Sequence, residues 1–254
     1  MKTKNQFEIN REIEALIMRK DSAGTSFTTK EIELIRRYSG AGGHGKKGAS
    51  GEGVLYEFYT PAYLGEIMWK LAAKFGYDGG TVLEPSCGTG RLIEHAPDKS
   101  KVVGFEINQF SRRVAEISYP EATFHGGYFE TAFMQSPRFT SRIRGGGTWL
   151  EQYPFSLVIG NPPYGRYRNL YSSYFKSPKM PTTELFFAYY GLHLLKPGGL
   201  LVYLTSSNIL RNGNSYNGAK EHLGKIGELV EAFRLPPVVR NTQVPVDIHV
   251  FRRK

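Results

Sequence analysis

The chain contains very little cysteine and no long apolar run. Its single cysteine, Cys87, excludes an internal disulfide. The absence of a signal-like amino terminus and of any apolar run of about 18 residues predicts a soluble, cytoplasmic protein with no membrane partner. The 6 histidines are scattered, and none is spaced from Cys87 as metal ligands are, so we expect no metal site.

Acidic residues are outnumbered by basic ones, 23 to 33, which gives a formal net charge of +10. A basic balance of this size favours a polyanionic partner such as nucleic acid. The length of 254 residues is sufficient for one main α/β domain with a sizeable core.

Helical and extended patterns alternate along most of the sequence. Helical periodicity at 5–20 and 28–38 predicts two small surface helices, the second opened by a capping box. From residue 54 onward, strands are predicted at 81–84, 101–106, 122–124, 156–160, 200–205, 228–235 and 247–252, and helices at 61–75, 108–118, 183–195 and 218–225. In LKPGG, 195–199, we expect a turn in which Gly198 closes the preceding helix. This order predicts a doubly wound, seven-stranded, mostly parallel α/β sheet with a small helical N-terminal extension.

The domain division places the helical extension and a Gly-rich loop in 1–53 and the main domain in 54–254, with basic insertions at 134–153 and 166–182. The Gly-rich segment nearly matches a phosphate-binding loop at 40–47. However, Lys47 replaces the metal-binding hydroxyl, and the preceding segment is helical rather than extended. A flexible loop is therefore the favoured interpretation.

A glycine-containing loop follows the predicted strand that ends at Glu84. Gly88 and Gly90 allow the backbone to approach a ligand before a short helix predicted near residue 91. Ile93 occupies the third glycine position of a dinucleotide fingerprint, which disfavours a dehydrogenase. A carboxylate at Glu84 would repel a pyrophosphate but suits an ammonium group, and Glu106 ends the next strand, where it can accept ribose hydroxyls. Each feature alone is typical of an ordinary turn or cap; their order favours adenosine joined to a cation, as in S-adenosyl-L-methionine.

The segment IGNPPYG, 159–165, ends an apolar run with an amide, two prolines and an aromatic ring. The run predicts a buried strand, so the tetrapeptide NPPY lies at the carboxyl end of that strand. In open parallel sheets, ligands bind at this end. A rigid Pro-Pro turn without function is the alternative interpretation.

Five segments together resemble the motifs of class I S-adenosylmethionine-dependent adenine DNA methyltransferases of the gamma arrangement. They are EFYTP (57–61), VLEPSCGTGRLI (82–93), VGFEIN (103–108), IGNPPYG (159–165) and LKPGGLLVYLTSSNIL (195–210). The stretch IRRYSGAGG (35–43), with the later motifs, is similar to the methylase domain of large helicase-methylase proteins of phages and conjugative elements. The resemblance implies a Rossmann-like class I methyltransferase fold, S-adenosyl-L-methionine as cofactor, and methylation of DNA at adenine in a restriction-modification context.

The resemblance also implies a set of site residues. The catalytic set is Asn161, Pro162, Pro163 and Tyr164. The cofactor-binding set is Tyr59, Thr60, Pro61, Glu84, Pro85, Ser86, Cys87, Gly88, Gly90, Glu106, Ile107, Gly127 and Asn161. Related enzymes commonly have an acidic residue where this chain has Gly127; either the backbone or Glu130 replaces that contact, or the cofactor binds more weakly.

The chemistry of NPPY suits an adenine amino group, whose lone pair is delocalised into the ring. Asn161 Oδ1 and the Pro162 carbonyl can accept hydrogen bonds from its two N–H groups and so localise the lone pair on nitrogen for attack. The two prolines restrict the direction of that carbonyl. Tyr164 offers a face on which a base flipped out of the duplex can stack.

Basic and aromatic residues alternate beside NPPY. Residues 135–180 contain seven basic residues and one acidic residue. The predicted nucleic-acid contacts are Arg166, Tyr167, Arg168, Lys176 and Lys179, with a solvated loop as the alternative. Because no further domain follows the last predicted strand, we expect low site specificity, recognition by the insertions, or a specificity or helicase partner subunit.

The sequence leaves two other functions open. A protein glutamine N-methyltransferase also uses NPPY on an amide nitrogen, although the basic charge favours DNA. A non-catalytic, methylase-like nucleic-acid-binding subunit is the second alternative, and the intact NPPY argues against it.

Overall fold

The computed structural model describes residues 5–39, 60–130, 155–168, 178–236 and 245–254. The strands are β1 Val82–Glu84, β2 Val102–Glu106, β3 Thr123–Gly126, β4 Phe155–Gly160, β5 Leu195–Ser206, β6 Gly227–Arg234 and β7 Val246–Arg253. The helices of these ranges are α1 Gln6–Ala23, α2 Thr29–Ile35, α3 Ala62–Lys74, α4 Gln109–Ser118, α5 Thr183–Leu194 and α6 Asn214–Ile226. None of these helices is long and apolar enough to cross a membrane.

The strands form one seven-stranded sheet in the order β3-β2-β1-β4-β5-β7-β6. Neighbours from β3 to β5 run parallel, whereas β7 is antiparallel to both β5 and β6. The predicted doubly wound, mostly parallel α/β fold is therefore confirmed. Because β1, β2 and β4 are adjacent and parallel, the loops that follow them meet at one edge of the sheet.

Helices cover both faces of the sheet, which explains why the central strands are continuous apolar runs. All six residues of β4 are buried. Along β5, Leu201 and Tyr203 face α5 and α6, whereas Val202 and Leu204 belong to the core beneath α3. Each fully buried side chain of this size contributes about 1.5–3 kcal/mol relative to exposure.

The N-terminal helices pack on α4. Ile13, Ile17 and Ile35 form a third core cluster with Val114 and Ile117. The predicted capping box of α2 is present, and α1 has one as well. The proposed boundary at residues 53 and 54 and the Gly-rich loop lie outside the described residues.

Two local predictions were wrong. The helix α5 ends at Leu194 with Leu195 as its cap, and β5 already begins at Leu195, so Gly198 does not close the helix. A register shift between Phe155 and Leu157 accommodates the bend around Gly198, whose φ is +79°. The short helix expected near residue 91 is a single 3-10 turn at Ile93–His95.

Candidate active site at the carboxyl edge of the sheet

Three of the predicted motifs meet where β1, β2 and β4 end. The Gly88 amide, in the loop after β1, donates to Glu106 Oε2 at the end of β2 at 2.8 Å. The Ser86 hydroxyl, in the same loop, donates to the Asn161 carbonyl after β4 at 3.4 Å. These two contacts join the predicted cofactor residues to the NPPY segment.

Two buried carboxylates end the neighbouring strands β1 and β2. Glu84 is 3% exposed and Glu106 is 8% exposed. Glu106 accepts the amides of Gly88, at 2.8 Å, and Asn108, at 2.7 Å. Burial, and next the negative charge of Glu106, raise the pKa of Glu84 well above its ordinary value.

Glu84 is the less satisfied member of this pair. Within the described residues, Glu84 Oε2 has no hydrogen-bond partner. A buried acceptor without a partner costs folding free energy, so its presence in a native fold calls for an explanation. A cationic donor brought by a ligand would satisfy it.

The loop after β1 lies tightly on β2. Gly88 and Gly90 have positive φ values of +53° and +78°, and a Cβ at Gly90 would come within 2.8 Å of the Tyr119 ring. The Cys87 amide donates to the Phe105 carbonyl at 3.1 Å, and a Cβ at Gly104 would lie 2.9 Å from Cys87 Sγ. The buried Cys87 side chain therefore packs against β2, and burial raises the pKa of its thiol.

The NPPY segment is held by its own tyrosine. The Tyr164 hydroxyl donates to Asn161 Oδ1 at 2.8 Å and approaches the Leu204 carbonyl at 3.3 Å. Burial, with the negative charge of Glu184 as a smaller cause, raises the pKa of Tyr164, so the hydroxyl stays protonated and remains a donor. This contact orients the Asn161 carboxamide. The sequence-based interpretation assigned Tyr164 only a stacking role and missed it.

A buried carboxylate on α5 supports the residue that follows NPPY. Glu184 Oε2 accepts the Gly165 amide at 3.2 Å, and the Ser206 hydroxyl donates to Glu184 Oε1. Glu184 was not among the predicted site residues, although an acidic residue in the otherwise apolar helix TELFFAYYGLHL was an available signal.

The segment after β3 contains Gly127 at the position where an acidic residue was expected. Gly127 has a φ of +115°. The neighbouring Glu130 is buried, which raises its pKa, and its Oε1 accepts the Tyr167 hydroxyl at 3.2 Å. If Glu130 contacts the cofactor, its carboxylate does so while it also accepts the Tyr167 hydroxyl.

The predicted nucleic-acid residues differ in their exposure. Arg166, Arg168 and Lys179 are exposed. The ring of Tyr167 stacks on Phe186, with centroids 4.2 Å apart and planes inclined by 14°. Tyr167 is thus anchored between two exposed arginines, and all five nucleic-acid contacts, Lys176 included, stay predictions.

The other predicted residues are distributed as follows. Thr60 is buried, Pro61 precedes α3, Ile107 is half-buried after β2, Pro162 is buried, and Pro163 is half-buried. Pro85 Cδ would lie 3.6 Å from a Cβ at Gly160, which brings the loops after β1 and β4 together. Tyr59, Lys176 and the insertion 134–153 lie outside the described residues, as does much of the second insertion. The assigned roles of the whole set stay predictions.

Residues 99–231 match the sequence profile of the Eco57I restriction-modification methylase family, which is more than half of the chain. This chain belongs to the Eco57I restriction-modification methylase family. Membership confirms the methylase resemblance that the sequence motifs carry. The family and the fold imply S-adenosyl-L-methionine as the cofactor.

Two relatives of this chain come from viruses. The "Defense against restriction protein B" of Escherichia phage P1 is 27% identical over 236 residues, which is 91% of this chain and 9% of that protein. The "Type II methyltransferase M.CvrRI" of Paramecium bursaria Chlorella virus XZ-6E is 31% identical over 142 residues, which is 54% of this chain and 30% of that protein. The chain thus spans less than a third of either relative.

Solved structures share the fold of this chain. A Listeria monocytogenes protein described as a candidate class I S-adenosylmethionine-dependent methyltransferase aligns with a TM-score of 0.63 and 17% identity, over 89% of this chain and 69% of that chain. The methyltransferase subunit of a type I restriction-modification system from Streptococcus thermophilus aligns with a TM-score of 0.59 and 20% identity, over 78% of this chain and 45% of that chain. These likenesses support the class I methyltransferase fold.

The residues at the edge of the sheet fit the implied cofactor. The buried Oε2 of Glu84 has no partner within the described residues and suits the cationic amino group of S-adenosyl-L-methionine. Glu106 ends β2, next to the loop after β1, where a carboxylate can accept ribose hydroxyls. The tight glycine turn brings the backbone to the same place.

Proposed function

We propose that this methylase transfers a methyl group from S-adenosyl-L-methionine to the 6-amino group of an adenine flipped out of DNA. The observation that carries the proposal is the Asn161 carboxamide, whose Oδ1 accepts the Tyr164 hydroxyl at 2.8 Å. It is joined through Ser86 to the loop that contacts Glu106. An oriented neutral acceptor next to a cofactor-binding loop suits transfer to a weakly nucleophilic amine.

The cofactor, when bound, supplies an electrophilic methyl group. The chain's own residues then have two tasks. Glu106 would accept the ribose hydroxyls and Glu84 the amino group, which fixes the cofactor along β1 and β2. Asn161 Oδ1 and the Pro162 carbonyl would accept hydrogen bonds from the two N–H groups of the adenine amino group and localise its lone pair.

Asn161 does not act as a base in this proposal. A neutral carboxamide accepts hydrogen bonds without taking a proton, and the amine becomes acidic once it carries the methyl group. The proton then leaves to solvent. Because burial keeps the Tyr164 hydroxyl protonated, this hydroxyl donates to Asn161 Oδ1 and keeps the carboxamide oriented toward the substrate.

Several independent features support DNA as the substrate. The formal net charge is +10, and Arg166 and Arg168 are exposed directly after NPPY. The family is one of restriction-modification methylases, and one relative is described as a type II methyltransferase. A structural neighbour is described as the methyltransferase subunit of a type I restriction-modification system, and we propose that a specificity or helicase partner contributes target selection here.

The test offers methyl-labelled cofactor to double-stranded DNA, single-stranded DNA, RNA and a Gln-containing release-factor peptide. Nucleoside digestion followed by mass spectrometry locates the label. We expect N6-methyladenine from DNA, and loss of the label with Asn161→Ala. Label found only in the peptide, or undiminished in the variant, would exclude the proposal and favour glutamine methylation or a contaminating activity, respectively.

A further inference from the structure

Glu184 is a fully buried carboxylate that the proposed chemistry does not use. It lies in the first turn of α5 and has 0% exposure. Burying a carboxylate is costly unless it accepts several hydrogen bonds, so its partners indicate its role.

The two oxygens of Glu184 reach two different elements. Oε2 accepts the amide of Gly165, the residue directly after NPPY, at 3.2 Å. Oε1 accepts the hydroxyl of Ser206, the last residue of β5. Since β4 and β5 are parallel neighbours, with Gly160 opposite Tyr203, the carboxylate bridges the loop after β4 and the end of the next strand.

The segment 165–167 is paired with the residues that lead into α5. The Thr183 amide donates to the Gly165 carbonyl at 2.8 Å, and the Tyr167 amide donates to the Pro181 carbonyl at 3.3 Å. Arg166 and Thr182 form an isolated antiparallel bridge between these contacts. Glu184 therefore completes a set of bonds that holds both polar backbone groups of Gly165.

Gly165 is the joint between these bonds and the catalytic segment. Its φ of +124° is a conformation that glycine adopts freely, so the sequence alone does not restrict it. The hydrogen bond from the Gly165 amide to Glu184 restricts this backbone conformation. Tyr164, one residue earlier, is consequently held between Gly165 on one side and the Leu204 carbonyl on the other.

We propose that Glu184 is a positioning residue that fixes the ring of Tyr164 and, through its hydroxyl, the Asn161 carboxamide. This inference rests on the proposed function for its catalytic consequence. Displacing a reacting group by about 1 Å can cost about 100-fold in rate, so loss of these contacts should lower turnover.

Two substitutions separate hydrogen bonding from charge. In Glu184→Gln, the amide oxygen can still accept the Gly165 N–H, and the amide nitrogen can donate to the Ser206 hydroxyl, whose own proton can rotate away. In Glu184→Ala, both contacts are lost. Leu223→Ala, a substitution of a buried core residue in α6, serves as a control for loss of stability.

The experiment measures kcat, the Kd of the cofactor, and hydrogen exchange of the peptide 161–168 for the whole chain at a temperature where all variants are folded. We expect Glu184→Ala to lower kcat about tenfold or more relative to Leu223→Ala, and to change the cofactor Kd by less than about twofold. We expect its 161–168 peptide to exchange faster. Glu184→Gln should retain kcat within about threefold and the exchange of the parent chain.

Two results would overturn the inference. One is a Glu184→Ala variant whose kcat and peptide exchange equal those of Leu223→Ala; the other is a Glu184→Gln variant as impaired as Glu184→Ala. The exchange measurement does not require methyl transfer. If the parent chain fails to methylate DNA but the exchange results hold, then the proposed function is wrong and the positioning role of Glu184 is supported.

Discussion

The two halves of the carboxyl edge differ in how fully their buried polar groups are hydrogen-bonded. In the half formed by β1 and β2, Glu84 keeps a buried oxygen without a partner among the described residues. In the half formed by β4 and β5, the Tyr164 hydroxyl meets Asn161, and Glu184 meets both Gly165 and Ser206. In the first half, Glu84 Oε2 can still accept a hydrogen bond from a ligand. In the second half, the hydrogen bonds of Tyr164 and Glu184 fix the conformation of the loop after β4.

This contrast fits the two tasks of a methyl-transfer enzyme. A cofactor is recognised by groups that gain partners when it binds, so one half must be incompletely satisfied without it. A flipped base needs acceptors that are already oriented, so the other half must be rigid beforehand. Substitutions on each side of the edge should therefore have different consequences for kcat and for cofactor affinity.

Asn161→Ala should remove most of the methyl transfer. It deletes the oriented acceptor, and loss of one such group typically costs about 100-fold to 1,000-fold in kcat. The cofactor Kd, measured by calorimetry, should change much less than kcat. Asn212→Ala, an exposed asparagine that accepts from Lys220 at 2.9 Å, is the matched control and should leave both constants unchanged. Equal losses in the two variants would contradict the assignment.

Glu84→Gln should weaken cofactor binding about tenfold or more, because a neutral amide cannot neutralise the amino group of the ligand. In the parent chain, the raised pKa of Glu84 means that deprotonation, and with it cofactor affinity, increases with pH. Calorimetric titrations across pH test this slope. A parent-like affinity in Glu84→Gln, or the same slope, would contradict the role of Glu84.

The pKa of Glu84 also predicts how the stability of the cofactor-free chain depends on pH. A folded-state pKa above the unfolded value means that the native state binds the proton more tightly. The contribution of Glu84 is therefore present below the unfolded pKa and is lost as the pH rises through the folded pKa. Denaturant melts should show that Glu84→Gln flattens this part of the profile; an unchanged profile would indicate another titrating group.

Tyr164→Phe should lower kcat about tenfold, which corresponds to about 1.4 kcal/mol for one lost hydrogen bond. The ring and its stacking surface are retained, so DNA affinity should be nearly that of the parent. Tyr164→Ala should lower both. Kinetics at saturating cofactor and a DNA-binding titration separate the two effects; a kcat unchanged in Tyr164→Phe would leave only the stacking role.

Tyr167→Phe should have the smallest effect, about threefold or less on kcat. The ring still stacks on Phe186, and only the hydroxyl contact with Glu130 is lost. Single-turnover assays with the parent chain and with Tyr167→Phe measure this difference in rate. A loss as large as that of Tyr164→Phe would show that the polar contact of Tyr167 matters more than its packing.

The fold was predictable from the sequence to a large extent because its signals are local. Apolar runs of strand length, such as FSLVIG, are buried whatever their neighbours are. The cap residues of α2 identified its start for the same reason. The bend at Gly198 was assigned wrongly because pairing of Leu195 with Phe155 in a distant strand extended β5.

The site was predictable only in part. NPPY and the glycine turn are continuous in sequence, so their location at strand ends could be expected. Glu184 contacts residues 19 and 22 positions away, and its side chain carries no local signature of that bond. The contact of the Tyr164 hydroxyl with Asn161, only three residues earlier, was overlooked because it depends on the backbone path of NPPY and on the side-chain direction of Tyr164, which the residue types alone do not determine.

The most direct test of the central claim is a crystal structure of the chain with S-adenosyl-L-homocysteine. The account predicts that the ribose hydroxyls contact Glu106, that the amino group contacts Glu84, and that the thioether faces Asn161. An adenosine bound away from Glu106, or a thioether directed away from Asn161, would contradict the claim that one edge of the sheet joins cofactor and acceptor.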